Sequence, residues 1–197
     1  MPSWCTTNIK IKHENREKLK ELGTMINDWM STNYQDNEFG HNWLGNIIGN
    51  SKLGTIKTGN KETDCEARGW VSLVELQPDC LFVQTFTAWN PMMKIWSRVM
   101  NKYLPDGELI YYAEEPDMEL YCTNNKAIEG YFSAIGNSIP AEARFGTSPD
   151  ELIAMLQDIL CTDKNKIPTL LKILSESELA DYISVHEIEQ EPVENWT

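Results

Sequence analysis

Histidine is scarce in this sequence, three residues in 197, and no C-x-x-C or H-x-x-x-H spacing occurs anywhere. His13, His41 and His186 lie far apart, so no zinc-ligand grammar is present, and neither a metal nor a cofactor is expected. Long apolar runs are missing as well. No stretch approaches the ~18 apolar residues of a membrane span. Met1-Pro2-Ser3-Trp4-Cys5 runs straight into polar sequence, without a basic or apolar leader region. A signal peptide is therefore not expected, and the expected location is cytoplasmic. Disulfide grammar is absent too: Cys5, Cys65, Cys80, Cys122 and Cys161 are odd in number and widely scattered, as reduced thiols would be. Basic charge is in short supply, with 17 Lys and Arg against 30 Asp and Glu, a net of −13. Such a surface repels phosphate backbones and anionic lipid, which argues against nucleic acid and membrane partners.

The charge that is present is unevenly placed. Residues 1–103 hold 12 basic and 11 acidic side chains, a net of +1, whereas residues 104–197 hold 5 and 19, a net of −14. Two regions with different surfaces are expected. With 41% hydrophobic residues, a packed core is within reach.

Periodicity orders the first region. Trp4 to Lys12 alternates, with Ile9 and Ile11 on one face, and reads as a half-exposed strand. From Glu14, residues Leu19, Leu22, Met25, Ile26 and Trp29 recur at helical spacing. Residues 31–67 are rich in Gly and Asn and read as a long loop around the apolar knot Trp43 to Ile48. Gly69–Leu76 and Leu81–Ala88 flank Gln77-Pro78-Asp79-Cys80 and predict a hairpin. A helix from Pro91 to about Lys102 and a strand from Glu108 to Glu114 follow.

This order predicts an α+β, ferredoxin-like βαββαβ fold: a four-stranded antiparallel sheet with two helices on one face. The domain is expected over residues 1–116. Residues 117–197 are expected to form a mainly helical acidic extension packed on it. In that extension, Ser148, Pro149 and Glu151 spell a capping box at a helix start. Short strands are expected at Leu120–Cys122, Tyr131–Ala134 and Tyr182–Ile188.

Three motifs carry a resemblance: Met1-Pro2-Ser3-Trp4-Cys5 with Asn8, Trp89-Asn90-Pro91, and Tyr111-Tyr112-Ala113-Glu114-Glu115-Pro116. With them the chain resembles the YubB-type ferredoxin-like proteins of plasmids, phages and other mobile elements over roughly residues 1–135. Ser3 departs from that pattern, and so does Asp117, where a glycine is usual. The resemblance implies a fold and a mobile-element setting but no biochemical activity.

Catalytic grammar is thin. Cys5 at the start of the first strand reads as a small buried hydrophobe beside Trp4 rather than a nucleophile. Gly45 to Lys52 lacks the order of a phosphate-binding loop. Glu114 and Glu115 are strand neighbours, so they face opposite sides and form no close acid–base pair. No catalytic residue is assigned, and the chain reads as a non-enzyme.

The candidates for interaction are Trp43, Lys10, Lys12, Phe82, Phe86, Glu114 and Glu115. Trp43 on the long loop is an anchor for a protein partner, since interface hot spots favour tryptophan. Trp4, Trp70, Trp89 and Trp96 read as aromatic core and edge packing. Phe82 and Phe86 share a strand parity, as base-stacking residues of RRM-type domains do, although the RNP1 pattern is absent. Their expected place is under the helices or the C-terminal segment. The expected function is protein–protein interaction with an unknown partner. A nucleic-acid-binding module built on the basic N-terminal strand and helix is the alternative. A further alternative is an acidic mimic of DNA, with rows at Asp150, Glu151 and Asp158 and at Glu187, Glu189 and Glu191.

Overall fold

The computed structural model describes residues 3–36, 38–56, 64–136 and 146–196. The chain divides into two compact units, residues 1–124 with 191–197, and residues 125–190.

The first unit grows from β1 (Trp4–Lys12), whose alternation buries Cys5, Thr7, Ile9 and Ile11 and turns Trp4, Thr6, Asn8, Lys10 and Lys12 to the other face. A helix, α1 (Arg16–Ser31), starts where the Asn15 side chain accepts from the amides of Glu17 and Lys18, and it buries Leu19, Leu22, Ile26 and Met30. After it come α2 (Leu44–Ser51), β2 (Thr55–Ile56), β3 (Asp64–Cys65), β4 (Gly69–Leu76) and β5 (Leu81–Ala88). The hairpin between β4 and β5 is as expected, with the Gln77 amide donating to the Cys80 carbonyl at 2.9 Å. Next, α3 (Lys94–Tyr103) begins three residues later than Pro91. The Asn90 side chain first accepts from the Met92 amide at 3.2 Å, and Met92 turns left-handed at φ 44°. The unit continues with β6 (Glu108–Glu115) and β7 (Leu120–Thr123).

The four-stranded ferredoxin-like sheet is not what forms. Among the described residues the fold is mixed α/β, with five α-helices, a six-stranded sheet and two small two-stranded sheets. In the large sheet β7, β6, β1, β5 and β4 lie side by side in that order, and the sixth strand is β10 (Glu189–Gln190). The physical reason lies after Glu115. Pro116 and Asp117 read as the end of the sheet, yet the buried Glu115 carboxylate accepts from the Met118 amide at 2.5 Å and caps a single tight turn. Glu119 then goes left-handed at φ 54°, and the chain returns along β6 as β7. The stretch 31–67 is more than a loop, because it contains α2; its residues 57–63, Gly59 among them, lie outside the described residues.

One core holds this unit together. Leu19, Leu22 and Ile26 of α1, Leu44, Ile47 and Ile48 of α2, and Ile95, Trp96 and Val99 of α3 pack with Cys5, Ile9, Ile11, Leu81, Val83, Tyr111 and Ala113 of the sheet. All three helices therefore serve one sheet face.

The second unit has its own core, in which the strands expected at Tyr131–Ala134 and Tyr182–Ile188 pair with each other, so the extension is mixed rather than mainly helical. β8 (Phe132–Gly136) pairs antiparallel with β9 (Ile183–Glu187). Ala134 and Ile183 of that pair pack with Leu152 and Leu156 of α4 (Pro149–Ile159) and with Leu170 and Leu174 of α5 (Ile167–Ser175). The capping box at Ser148 and Glu151 is formed. Among the described residues no helix is long and apolar enough to cross a membrane.

Candidate functional site

Trp4 is the even-numbered first residue of β1, so it stands on the face away from the helices. Across the ladder it meets Ala88, and Trp70 on β4 meets Phe86. The Trp4 and Trp70 rings lie 4.6 Å apart and tilted by 55°, with Phe86 6.1 Å from Trp70. Gly69 lets β4 approach this closely: a Cβ there would sit 2.2 Å from the Phe86 carbonyl oxygen. Just past β5, Trp89 takes a left-handed φ of 69°, and its amide donates to the Ser3 carbonyl at 3.0 Å. The Arg68 guanidinium lies 4.5 Å from the centre of the Trp89 ring and also pairs with Glu66.

The second wall comes from the segment before α2. Asn42, left-handed at φ 66°, accepts from the Val71 amide at 2.9 Å, which lays Trp43 along the outer edge of β4. The Trp43 indole donates to the Ala67 carbonyl at 2.6 Å, and the Phe39 ring stacks 4.6 Å from it. Buried Asn46 fixes this segment by donating to the Gly40 carbonyl at 2.9 Å and accepting from the Tyr34 amide at 3.0 Å.

Together these residues line a hollow of about 920 Å³, with His41, Ile56, Ala67 and Ala88 completing it. Trp4, Trp70 and Trp89 keep 41%, 42% and 41% of their surface exposed. Of the four tryptophans expected in core and edge packing, Trp96 alone is in the core. Trp43 does reach this site, half-buried and hydrogen-bonded rather than free.

The other candidates fall elsewhere. Phe82 and Phe86 alternate with buried Leu81, Val83, Thr85 and Thr87, so they lie on the face away from the helices and not beneath them. Lys10 sits opposite Phe82, with its ammonium 5.6 Å from the Tyr112 ring centre; half-buried Lys12 sits opposite Glu108. Glu114 is half-buried next to Tyr121, and Glu115 is consumed by the turn it caps. The two carboxylates do face opposite sides.

Burial pushes the Cys5 thiol up to about 11, with Glu115 and Glu114 adding to the effect, so it stays protonated near neutrality. Among the described residues no cluster of three or more His, Cys, Asp or Glu is placed to hold a metal ion. On α4 the exposed Glu151 carboxylate accepts from the Ser148 amide and hydroxyl and closes the helix cap. No family model, no curated protein and no solved structure matches the chain.

Sequence reasoning nominated Trp43 and missed its three partners. The signal was parity: Trp4 is out of phase with Ile9 and Ile11, which places it on the opposite face.

Proposed function

We propose that the chain is a non-enzymatic, cytoplasmic protein–protein interaction protein of a mobile genetic element, and that it docks a segment of its partner in the tryptophan-lined hollow. The observation that carries this is the gathering of Trp4, Trp70 and Trp89, each about two-fifths exposed, around one cavity with Trp43 and Phe39. Scattered exposed aromatics need no explanation, but a contiguous apolar patch of them is what interfaces use. Tryptophan leads the residues that dominate binding energy, and the hollow lies in the range of ligand-sized pockets. The test is display of a random peptide library against the full chain. Enriched peptides that bind in the micromolar range and weaken about tenfold or more with Trp70→Ala support the reading. A failure to enrich any peptide, or peptides indifferent to both Trp70→Ala and Trp89→Ala, overturns it.

One observation favours a second reading, single-stranded nucleic acid on the open sheet face. Phe82 and Phe86 face away from the helices, on the same side as Lys10 and Lys12. Glu75, Glu108 and Glu114 share that face and oppose a phosphate chain. Fluorescence anisotropy of labelled oligouridylate at low salt decides it: binding that Phe86→Ala removes supports this reading, and no binding ends it.

A further inference from the structure

We propose that the segment held in the hollow is proline-rich and lies in the left-handed extended polyproline form. The inference rests on the interaction reading above and specifies the chemistry of the partner.

The argument is a count of donors and acceptors around the cavity. The backbone carbonyls of its wall are largely occupied. Asn42 accepts from the Val71 amide at 2.9 Å, Trp43 from Asn46 at 2.9 Å, Arg68 from Ala88 at 2.8 Å, and Ala88 from Asn90 at 3.0 Å. Ala67 accepts from the Trp43 indole at 2.6 Å. Of the lining side chains among the described residues, only Asn42 and His41 bring an acceptor. Donors are in surplus. The indole N–H groups of Trp4, Trp70 and Trp89 donate to no protein acceptor among the described residues, and an indole can only donate.

An ordinary peptide entering such a site brings one N–H for every carbonyl. Each N–H buried without an acceptor is penalised by its lost hydration. Proline has no N–H. A polyproline helix makes no internal hydrogen bonds, so its carbonyls face outward, ready for indole donors. Its pyrrolidine rings pack on aromatic walls such as the tilted pairs Trp4–Trp70 and Phe39–Trp43. Being stiff before it binds, it also loses little freedom on docking. A nucleotide fits less well. It carries donors of its own, and its phosphate requires cations, whereas Arg68 is the one Lys or Arg in the wall among the described residues and is paired with Glu66.

The experiment follows the intrinsic tryptophan fluorescence of the full chain during titration with acetyl-decaproline amide. A glycine–serine decapeptide and oligothymidylate serve as the other arms. The expected result is a saturable change with decaproline alone. Trp70→Ala weakens it about tenfold or more. Trp70→Phe keeps a ring and removes the N–H, and weakens it about threefold or more. Unchanged circular dichroism and melting of both variants exclude misfolding as the cause. If decaproline is silent while display-selected peptides without proline bind through Trp70, the proline assignment falls and the interaction reading stands. If no peptide of either kind binds, both fall. A response to oligothymidylate transfers the hollow to nucleic acid. Trp70→Phe binding as tightly as the parent chain overturns the donor argument, and with it the proposal.

Discussion

The indole N–H of Trp196 donates to the Tyr111 hydroxyl at 2.7 Å, and that hydroxyl donates to the Glu191 carbonyl at 2.7 Å. One phenol in the middle of β6 thus ties down the acidic segment Glu191–Trp196. Burial holds this phenol protonated well above its ordinary range. Tyr111→Phe leaves two partly buried partners without a mate, and a loss of about 1–3 kcal/mol is expected. In a thermal melt that is a drop of several degrees. Trp196→Phe, which removes one of the two bonds, is expected to lower the melting temperature less.

Gly45→Ala is expected to destabilise the protein, against the usual helix preference for alanine of about 1 kcal/mol. A Cβ at Gly45 would sit 2.3 Å from the Trp43 ring, and the indole bond to Ala67 leaves that ring no simple retreat. Overpacking of this kind costs about 1–3 kcal/mol, to be read from a urea denaturation curve. A stabilised Gly45→Ala variant contradicts this account of the wall.

Thiol chemistry distinguishes the cysteines. Cys161 is exposed, while Cys5, Cys65, Cys80 and Cys122 are buried. Burial raises the thiols of Cys5, Cys65 and Cys80, for Cys65 even with the Arg98 guanidinium 3.2 Å away. Titration with a disulfide reagent near pH 8 should find one fast thiol in the native chain and five in denaturant. Cys161→Ser should remove the fast one.

Acid should loosen α4 through its cap. Hydrogen bonds from the Ser148 side chain and amide hold the exposed Glu151 carboxyl below its ordinary value of 4.5. A carboxylate lowered in the folded state supports structure above its unfolded value, and that support is lost as pH falls through the folded one. Protection of the α4 amides, corrected for their intrinsic exchange rates, should therefore fall as pH drops below about 4.5, and by more than in Glu151→Gln, which has no carboxylate to titrate. Equal behaviour of the two chains removes the cap from the explanation.

What the sequence revealed followed the strength of its local signals. β1, α1 and the β4–β5 hairpin announced themselves by periodicity and a turn, and α4 by its capping box. α2 did not, because Gly45, Asn46, Gly49 and Asn50 are poor helix formers. Packing decides it: Leu44, Ile47 and Ile48 are buried, and a Cβ at either glycine would strike the Trp43 or Tyr34 ring. The short strand expected at Leu120–Cys122 forms as β7, but its return alongside β6 was hidden behind Pro116, because a buried carboxylate capping one turn leaves no periodic trace. The hollow was hidden for another reason. Its tryptophans come from positions 4, 43, 70 and 89, and only strand register and one bridge bring them together.

Trp89 occupies a backbone region that bulky side chains avoid, at a penalty of about 1–3 kcal/mol, where glycine would sit without strain. Asn42 across the hollow sits in the same region but belongs to the residue types that tolerate it. A chain selected for thermal endurance alone would place glycine at position 89 and lose the ring that stacks on Arg68. Directed evolution toward higher melting temperature should therefore erode this position early, and the hardier descendants should be the ones that have given up the hollow.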